Sequence, residues 1–271
     1  MTHPIGLAAL TVLELSPPDM VSCAAEAGYD CVGLRLLPAT PTEVQHDIVG
    51  DTPLVRETLQ RMADTGLSVL DVEIFRLKPD TDVRDYRAAL ATAARLGARE
   101  ALVAGNDPEF ARLVQSFGAF CELAREFGIA ANLEPMPWTD VRTFAEGLRV
   151  VQASGCANAG VLVDPIHFDR AGCDAEEIAA APPGLLRYMQ VCDAPAERPT
   201  DVDTLLFQAR SERMMPGDGG LDLAGMLSRV RRDLPLSVEI PMAAWSRTMP
   251  AVERARTMLA KTRKLLDPLQ R

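Results

Sequence analysis

Short apolar runs recur along the chain, and most of the stretches between them are Ala-rich, amphipathic and closed by glycine. This alternation constrains the fold more than any other feature. The runs are Ile5–Leu10, Cys31–Leu36, Leu67–Ile74, Arg99–Ala104, Ile129–Glu134, Ala159–Asp164, Leu186–Asp193 and Pro235–Ile240. They are apolar along most of their length, with no strict alternation, as expected for strands covered on both faces. The intervening stretches read as helices. Pro17-Pro18-Asp19 opens the first and Gly28 ends it, and Thr52-Pro53 opens the second, ending at Gly66. The third covers Asp80 to Leu96 before Gly97. The fourth follows Asp107-Pro108 and ends at Gly128, and the fifth starts at Thr139-Asp140 and ends near Gly155. A capping residue or proline starts such a helix, and a glycine lets the chain leave it in the left-handed conformation.

Strand and helix in strict alternation give a parallel sheet with right-handed crossovers. Eight such units in 271 residues favour a closed (β/α)8 TIM barrel, α/β in class, as one domain over 1–271. No Gly-x-Gly-x-x-Gly follows the first strand, which argues against a dinucleotide site. The longest connection runs from about Ala194 to Gly220, and connections of that length in compact domains usually serve function.

Composition narrows the partners. The net charge is 28 − 38 = −10, which disfavours nucleic acid and anionic lipid, both of which require a basic surplus. No apolar stretch is long enough to span a membrane, and the first residues lack the basic and apolar regions of a leader. The six cysteines are scattered without a C-x-x-C pair, so they read as reduced core residues of a cytoplasmic protein.

In a barrel the chemistry gathers at the C-terminal ends of the strands. The polar residues that close apolar strands are therefore the candidates. Strand five ends in Glu134 and strand six in Asp164, with His167 three residues on. Strand seven carries Gln190 and strand eight Glu239. A single acidic residue at a strand end is commonly a helix cap, but four oxygen donors on four consecutive strands are harder to explain that way. Three carboxylates meeting in a dry mouth repel each other unless a cation sits among them. Oxygen donors without cysteine point to Mg²⁺ or Mn²⁺, with Co²⁺ or Zn²⁺ as alternatives.

The blocks N-L-E-P (132–135), G-V-L-V-D-P-I-H (160–167), M-Q-V-C-D-A-P (189–195), R-M-M-P-G-D-G-G-L-D (213–222) and S-V-E-I-P (237–241) carry a resemblance. With them the chain resembles the xylose isomerase-like TIM-barrel superfamily of sugar and sugar-phosphate isomerases and epimerases. The resemblance implies one divalent metal ion on Glu134, Asp164, Gln190 and Glu239, with Glu134 and Glu239 exchanging a proton with substrate. It also implies that His167 contacts a substrate oxygen and Arg213 a substrate oxygen or anion. Most sugar isomerases and epimerases of this kind carry His on strand seven, where this chain has Gln190. That glutamine, the Asp-Ala-Pro after it, Phe75-Arg76 and the Arg210/Arg213 pair resemble the 3-dehydroshikimate dehydratase branch, whose arginines meet a substrate carboxylate. The first two strands do not resemble that branch.

The expected activity is thus metal-dependent isomerisation or epimerisation of a sugar, sugar phosphate or sugar acid. It proceeds by proton abstraction α to a carbonyl through an enediolate. A 3-dehydroshikimate dehydratase-type lyase is the alternative, and a non-catalytic binding or accessory barrel a more distant one. The nucleases that share the superfamily need a His-rich metal cluster, and this chain has three His in all. The expected partner is a small polyhydroxylated carbonyl compound bearing an anionic group held by Arg213, Arg76 and Arg210. Homo-oligomerisation is left open.

Overall fold

A computed structural model describes residues 3–182 and 184–270. Eight parallel strands form the sheet: β1 (Ile5–Leu7), β2 (Cys31–Arg35), β3 (Ser68–Leu77), β4 (Glu100–Gly105), β5 (Ala130–Glu134), β6 (Ala159–Val161), β7 (Met189–Val191) and β8 (Leu236–Val238). Their order is β6-β5-β4-β3-β2-β1-β8-β7. A parallel bridge between Val163 and Met189 joins the two ends, reinforced by Gln190 N donating to Val163 O at 2.9 Å. The sheet therefore closes as a (β/α)8 barrel with no free edge.

The crossovers are α1 (Pro17–Ala27), α2 (Pro53–Thr65), α3 (Arg87–Arg95), α4 (Phe110–Glu126) and α5 (Phe144–Ser154). Then come the short α6 (Pro165–Arg170) and α7 (Ala175–Ala180), α8 (Val202–Ser211), α9 (Leu223–Ser228), α10 (Ala243–Ser246) and α11 (Ala251–Leu266). Gly28, at φ 91°, is the left-handed cap that ends α1, a conformation that costs a side-chain-bearing residue about 1–2 kcal/mol. Helix α1 packs on α2 and on α11, so the last helix seals the ring against the first.

Several boundaries differ from the sequence reading, among them β6, which stops at Val161 rather than Asp164, and β7, which covers only Met189–Val191 of the run Leu186–Asp193. Strand β1 stops at Leu7 rather than Leu10, because the chain turns into a 3₁₀ segment at Ala9–Val12. Thr11 holds this turn against β8: its Oγ1 donates to Val238 O at 2.8 Å and accepts from Ile240 N at 2.9 Å. Strand β3 runs on to Leu77, which pairs with Gly105. The third helix is a 3₁₀ turn (Val83–Tyr86) followed by a shorter α3, with the Tyr86 ring against Phe75 and Phe120. Helix α5 starts at Phe144, not at Thr139. Thr139 instead closes a loop through its hydroxyl and Val141 O, while Thr143 and Glu146 form a capping box. The long 194–220 connection contains α8, which carries Arg210.

Most apolar residues form one core between sheet and helices. A separate small cluster of Ile74, Leu102, Ala104, Met136, Leu162 and Tyr188 lies beneath the barrel mouth, and Ile74, Leu102 and Met136 line the cavity that opens there.

Candidate metal centre and active site

A cavity of about 280 Å³ opens at the C-terminal ends of the strands. Its wall includes Glu134, His167, Arg213 and Glu239, together with Arg76 and Arg210. Strand parity accounts for the inward carboxylates: the strand residue before each one is apolar and packs in the outer core, while the carboxylate faces the barrel axis.

Glu134 closes β5, and Asp164 caps α6 by accepting from Ile166 N at 3.1 Å. One turn into α6, His167 turns back toward both, with Nε2 at 3.3 Å from Asp164 Oδ2 and 3.8 Å from Glu134 Oε1. The ligating atoms of these three residues all lie within 4.8 Å of one another, a spacing that suits one ion. His167 was expected as a substrate contact, and its position also makes it a candidate ligand. Gln190 and Glu239 form the adjoining pair, with Gln190 Nε2 donating to Glu239 Oε1 at 2.9 Å.

Arg213 lies between the two groups. Its side chain is 2% exposed. Nη1 donates to Asp164 Oδ2 at 2.8 Å and to Glu239 O at 3.1 Å. Nη2 pairs with Glu239 Oε2 at 2.8 Å, and Nε donates to Ala209 O at 2.7 Å. The sequence reading gave Arg213 to a substrate anion. In the structure its donors are engaged by the protein's own carboxylates and carbonyls, because residues 212–214 are drawn in between the ends of β7 and β8. Arg213 still lines the cavity, beside Arg76 and Arg210, the other two arginines of that expectation.

The charges of the cluster follow from burial. Burial pushes Glu134 well above the usual carboxylate range, with Glu239 and Asp164 adding to the rise. Burial likewise pushes Glu239 up to about 8, against the pull of Arg213. At Asp164 the burial effect is outweighed by Arg213 and His167, so its carboxyl is held below its ordinary value. His167 is pushed down to about 4 by burial and is therefore a neutral imidazole, the form that ligates metal. Three carboxylates against one guanidinium leave two negative charges when all are ionised, which one divalent ion cancels. Gln190 Oε1 is buried without a hydrogen-bond partner among the described residues, an oxygen such an ion can satisfy. The donor set thus fits a divalent cation.

Arg76 and Arg210 line the cavity without a carboxylate partner among the described residues. Arg76 bonds Asn106 through Nη1 at 3.2 Å, and its buried Nε has no partner. Arg210 lies 5.6 Å from the centre of the Trp138 ring, whose Nε1 is also buried and unpartnered. Trp138 in turn meets His167 edge-on at 4.8 Å. Burial and then Arg210 lower the pKa of Arg76.

The sequence reading missed one constellation. Arg35 closes β2 and pairs with Glu73 on β3 at 2.9 Å and with Glu43 of the following loop. All three line the cavity. The signal was present, since Arg35 and Glu73 are polar residues within apolar strands, the same rule that singled out Glu134 and Glu239.

A curated relative, "3-dehydroshikimate dehydratase" of Pseudomonas aeruginosa, is 27% identical over 273 residues, covering 94% of this chain and 41% of its own length. "Inosose isomerase" of Halalkalibacterium halodurans is 28% identical over 109 residues, 40% of this chain and 36% of its own length. The chain thus spans about two fifths of the length of the curated relatives it matches. The crystal structure of an IOLI protein "with a binding zinc atom" superposes with a TM-score of 0.79 at 16% identity, over 98% of this chain and 99% of that one. The model of the xylose isomerase-like TIM barrel family matches residues 21–265. With its closed barrel and its cluster of carboxylates and histidine at the strand ends, the chain belongs to the xylose isomerase-like TIM barrel family.

Proposed function

We propose that this chain is a divalent-metal-dependent lyase acting on a cyclic hydroxy-keto acid. It takes a proton from the carbon next to the carbonyl and expels the β-hydroxyl as water, the reaction type for which the Pseudomonas aeruginosa relative is named. The observation that carries this reading is the pair of cavity-lining arginines, Arg76 and Arg210, without a carboxylate partner among the described residues, with Trp138 beside Arg210. A substrate carboxylate would supply that partner, and guanidinium groups bind carboxylates strongly where water is excluded.

When bound by Glu134, Asp164, Gln190 and Glu239, with His167 beside them, a divalent cation supplies Lewis-acid polarisation of the substrate carbonyl. The protein does the rest. Arg76 and Arg210 orient the acid so that its α C–H meets the carboxylates. Glu134 or Glu239 accepts the proton, and burial has raised both toward the range in which a carboxylate both takes and returns one. Neutral His167 donates a hydrogen bond to a substrate oxygen when it is not itself a ligand. Arg213 keeps Asp164 and Glu239 in place and favours the ionised form of each.

A specific feature favours the isomerase or epimerase reading as the second choice. Two buried carboxylates, Glu134 and Glu239, share one cavity and suit proton removal and return. One experiment separates the two. Chain loaded with Mg²⁺ or Co²⁺ is incubated in D2O with 3-dehydroshikimate, and separately with neutral ketoses and an inosose, and followed by proton NMR. Loss of water from the keto acid supports the lyase. Deuterium uptake or rearrangement confined to the neutral compounds overturns it in favour of the isomerase.

A further inference from the structure

Asp193 ends the segment that carries Gln190, yet it does not join the cavity. It is 1% exposed and makes no ion pair among the described residues. Its carboxylate instead receives four backbone N–H groups. Oδ1 accepts from Ala194 N at 2.8 Å and from Leu221 N at 3.1 Å. Oδ2 accepts from Gly217 N and Gly219 N, both at 3.0 Å. The backbone of Asp193 also exchanges both hydrogen bonds with Met214, N to O at 2.9 Å and O to N at 2.8 Å. One residue therefore grips the returning chain on both sides of Met215-Pro216. The contact is close enough to require glycine: a Cβ on Gly219 would lie 2.4 Å from Asp193 Oδ1 and 2.3 Å from Ala194 O. This accounts for the Pro-Gly-Asp-Gly-Gly block, which the catalytic cluster leaves unexplained.

Met214 is the neighbour of Arg213. Pairing Asp193 with Met214 fixes which residue of this segment points between β6 and β8, and a slip of one residue would turn the guanidinium out of the cluster. On the other side, Arg213 N donates to Pro241 O at 3.0 Å, and Glu212 bridges Met242. We propose that Asp193 is a positioning residue: by gathering four N–H groups it sets the register of 212–214 and so holds Arg213 between Asp164 and Glu239. Only a carboxylate suits this task. Asparagine offers one oxygen, and its amide group would face two of the four N–H donors.

The test follows Arg213 itself. In wild type its Nε–H donates to Ala209 O at 2.7 Å and is shielded from water, so a ¹⁵N spectrum should show it as a slowly exchanging side-chain signal. Asp193→Asn should lose that protection while far-UV circular dichroism stays native. Gly219→Ala displaces the same carboxylate by contact rather than by charge and should do the same. Asp218→Asn breaks only the exposed ion pair with Lys261 in the same loop and should leave the signal unchanged. A protected Nε–H in folded Asp193→Asn or Gly219→Ala overturns the proposal.

A second measurement rests on the proposed lyase reaction and uses turnover of 3-dehydroshikimate at saturating metal. Asp193→Asn should lower kcat about tenfold, and Asp193→Asn/Arg213→Lys should fall no further than Arg213→Lys alone, since one residue acts through the other. Losses that multiply in the double variant overturn the coupling. A lost Nε–H signal with unchanged turnover supports the positioning role and counts against Arg213 in the proposed reaction.

Discussion

Glu239 touches more of the cluster than its sequence position suggests. Its two oxygens meet Gln190 and Arg213, so Glu239→Gln removes a proposed metal oxygen and the charge that anchors Arg213. We expect Mn²⁺ affinity by calorimetry to fall at least tenfold, about 1.4 kcal/mol, and turnover to fall further. Undiminished affinity would remove Glu239 from the ligand set. In the proposed reaction Arg210 serves the other function of the cavity, holding the substrate anion. Arg210→Ala should raise KM for an anionic substrate roughly tenfold, again about 1.4 kcal/mol, and leave Mn²⁺ affinity unchanged. Equal KM values for variant and wild type would exclude it from the anion site. Asp71 on β3 is a third case, a buried acid that burial first, and then Glu73, Glu239 and Glu100, raise well above the ordinary 3.8. The folded state holds this proton more tightly than the unfolded state does. Stability from the neutral carboxyl is therefore complete below the unfolded value and is lost as pH rises through the folded one. Asp71→Asn stays neutral, so its stability gain over wild type should be small near pH 4 and grow toward pH 8. Thermal unfolding across that range reads it, each kcal/mol moving Tm by roughly 2–4 °C in a chain of this size. A gap independent of pH would mean that Asp71 is ionised in the native protein.

At the scale of elements, all eight strands and the Gly28, Gly66 and Gly155 helix ends were legible. Apolar runs and left-handed caps are local signals, set by residues adjacent in sequence. Some errors fell where a distant partner decides. The stop of β1 at Leu7 depends on Thr11 bonding Val238 and Ile240, more than 200 residues away. The late start of α5 was readable, since Thr143 and Glu146 spell a capping box, but Thr139-Asp140 spells a helix start almost as well. That box yields a prediction confined to the element. Thr143→Ala should cost about 1 kcal/mol of stability in denaturant unfolding and leave metal affinity as it is. A neutral effect on stability would show that α5 is held by its packing on α4 and β6 without help from the cap.

For the whole molecule, the metal should act as part of the structure. An ion that binds only the folded barrel stabilises it by about 2.7 kcal/mol at a hundred times its dissociation constant. Removal by a chelator should therefore lower Tm by several degrees, and adding Mn²⁺ back should restore it. An unchanged Tm would argue against an ion among these residues. Sequence alone determined the closed barrel, since eight apolar runs separated by capped helices leave parallel strands few other ways to bury both faces. It also pointed to Glu134, Asp164, Gln190 and Glu239 at one end, because the C-terminal ends of the strands gather there, although the same pattern did not tell them from Asp193, which turns to the backbone of 217–221. Only the tertiary structure decided how the charges around them pair. Arg213 pairs with Asp164 and Glu239, Arg35 and Glu73 enter the cavity wall, and Arg76 and Arg210 are left without a carboxylate partner among the described residues. The physical reason is range. Burial patterns are written along a few consecutive residues, whereas the partner of a long, flexible arginine depends on which carboxylates closure of the barrel brings within about 4 Å.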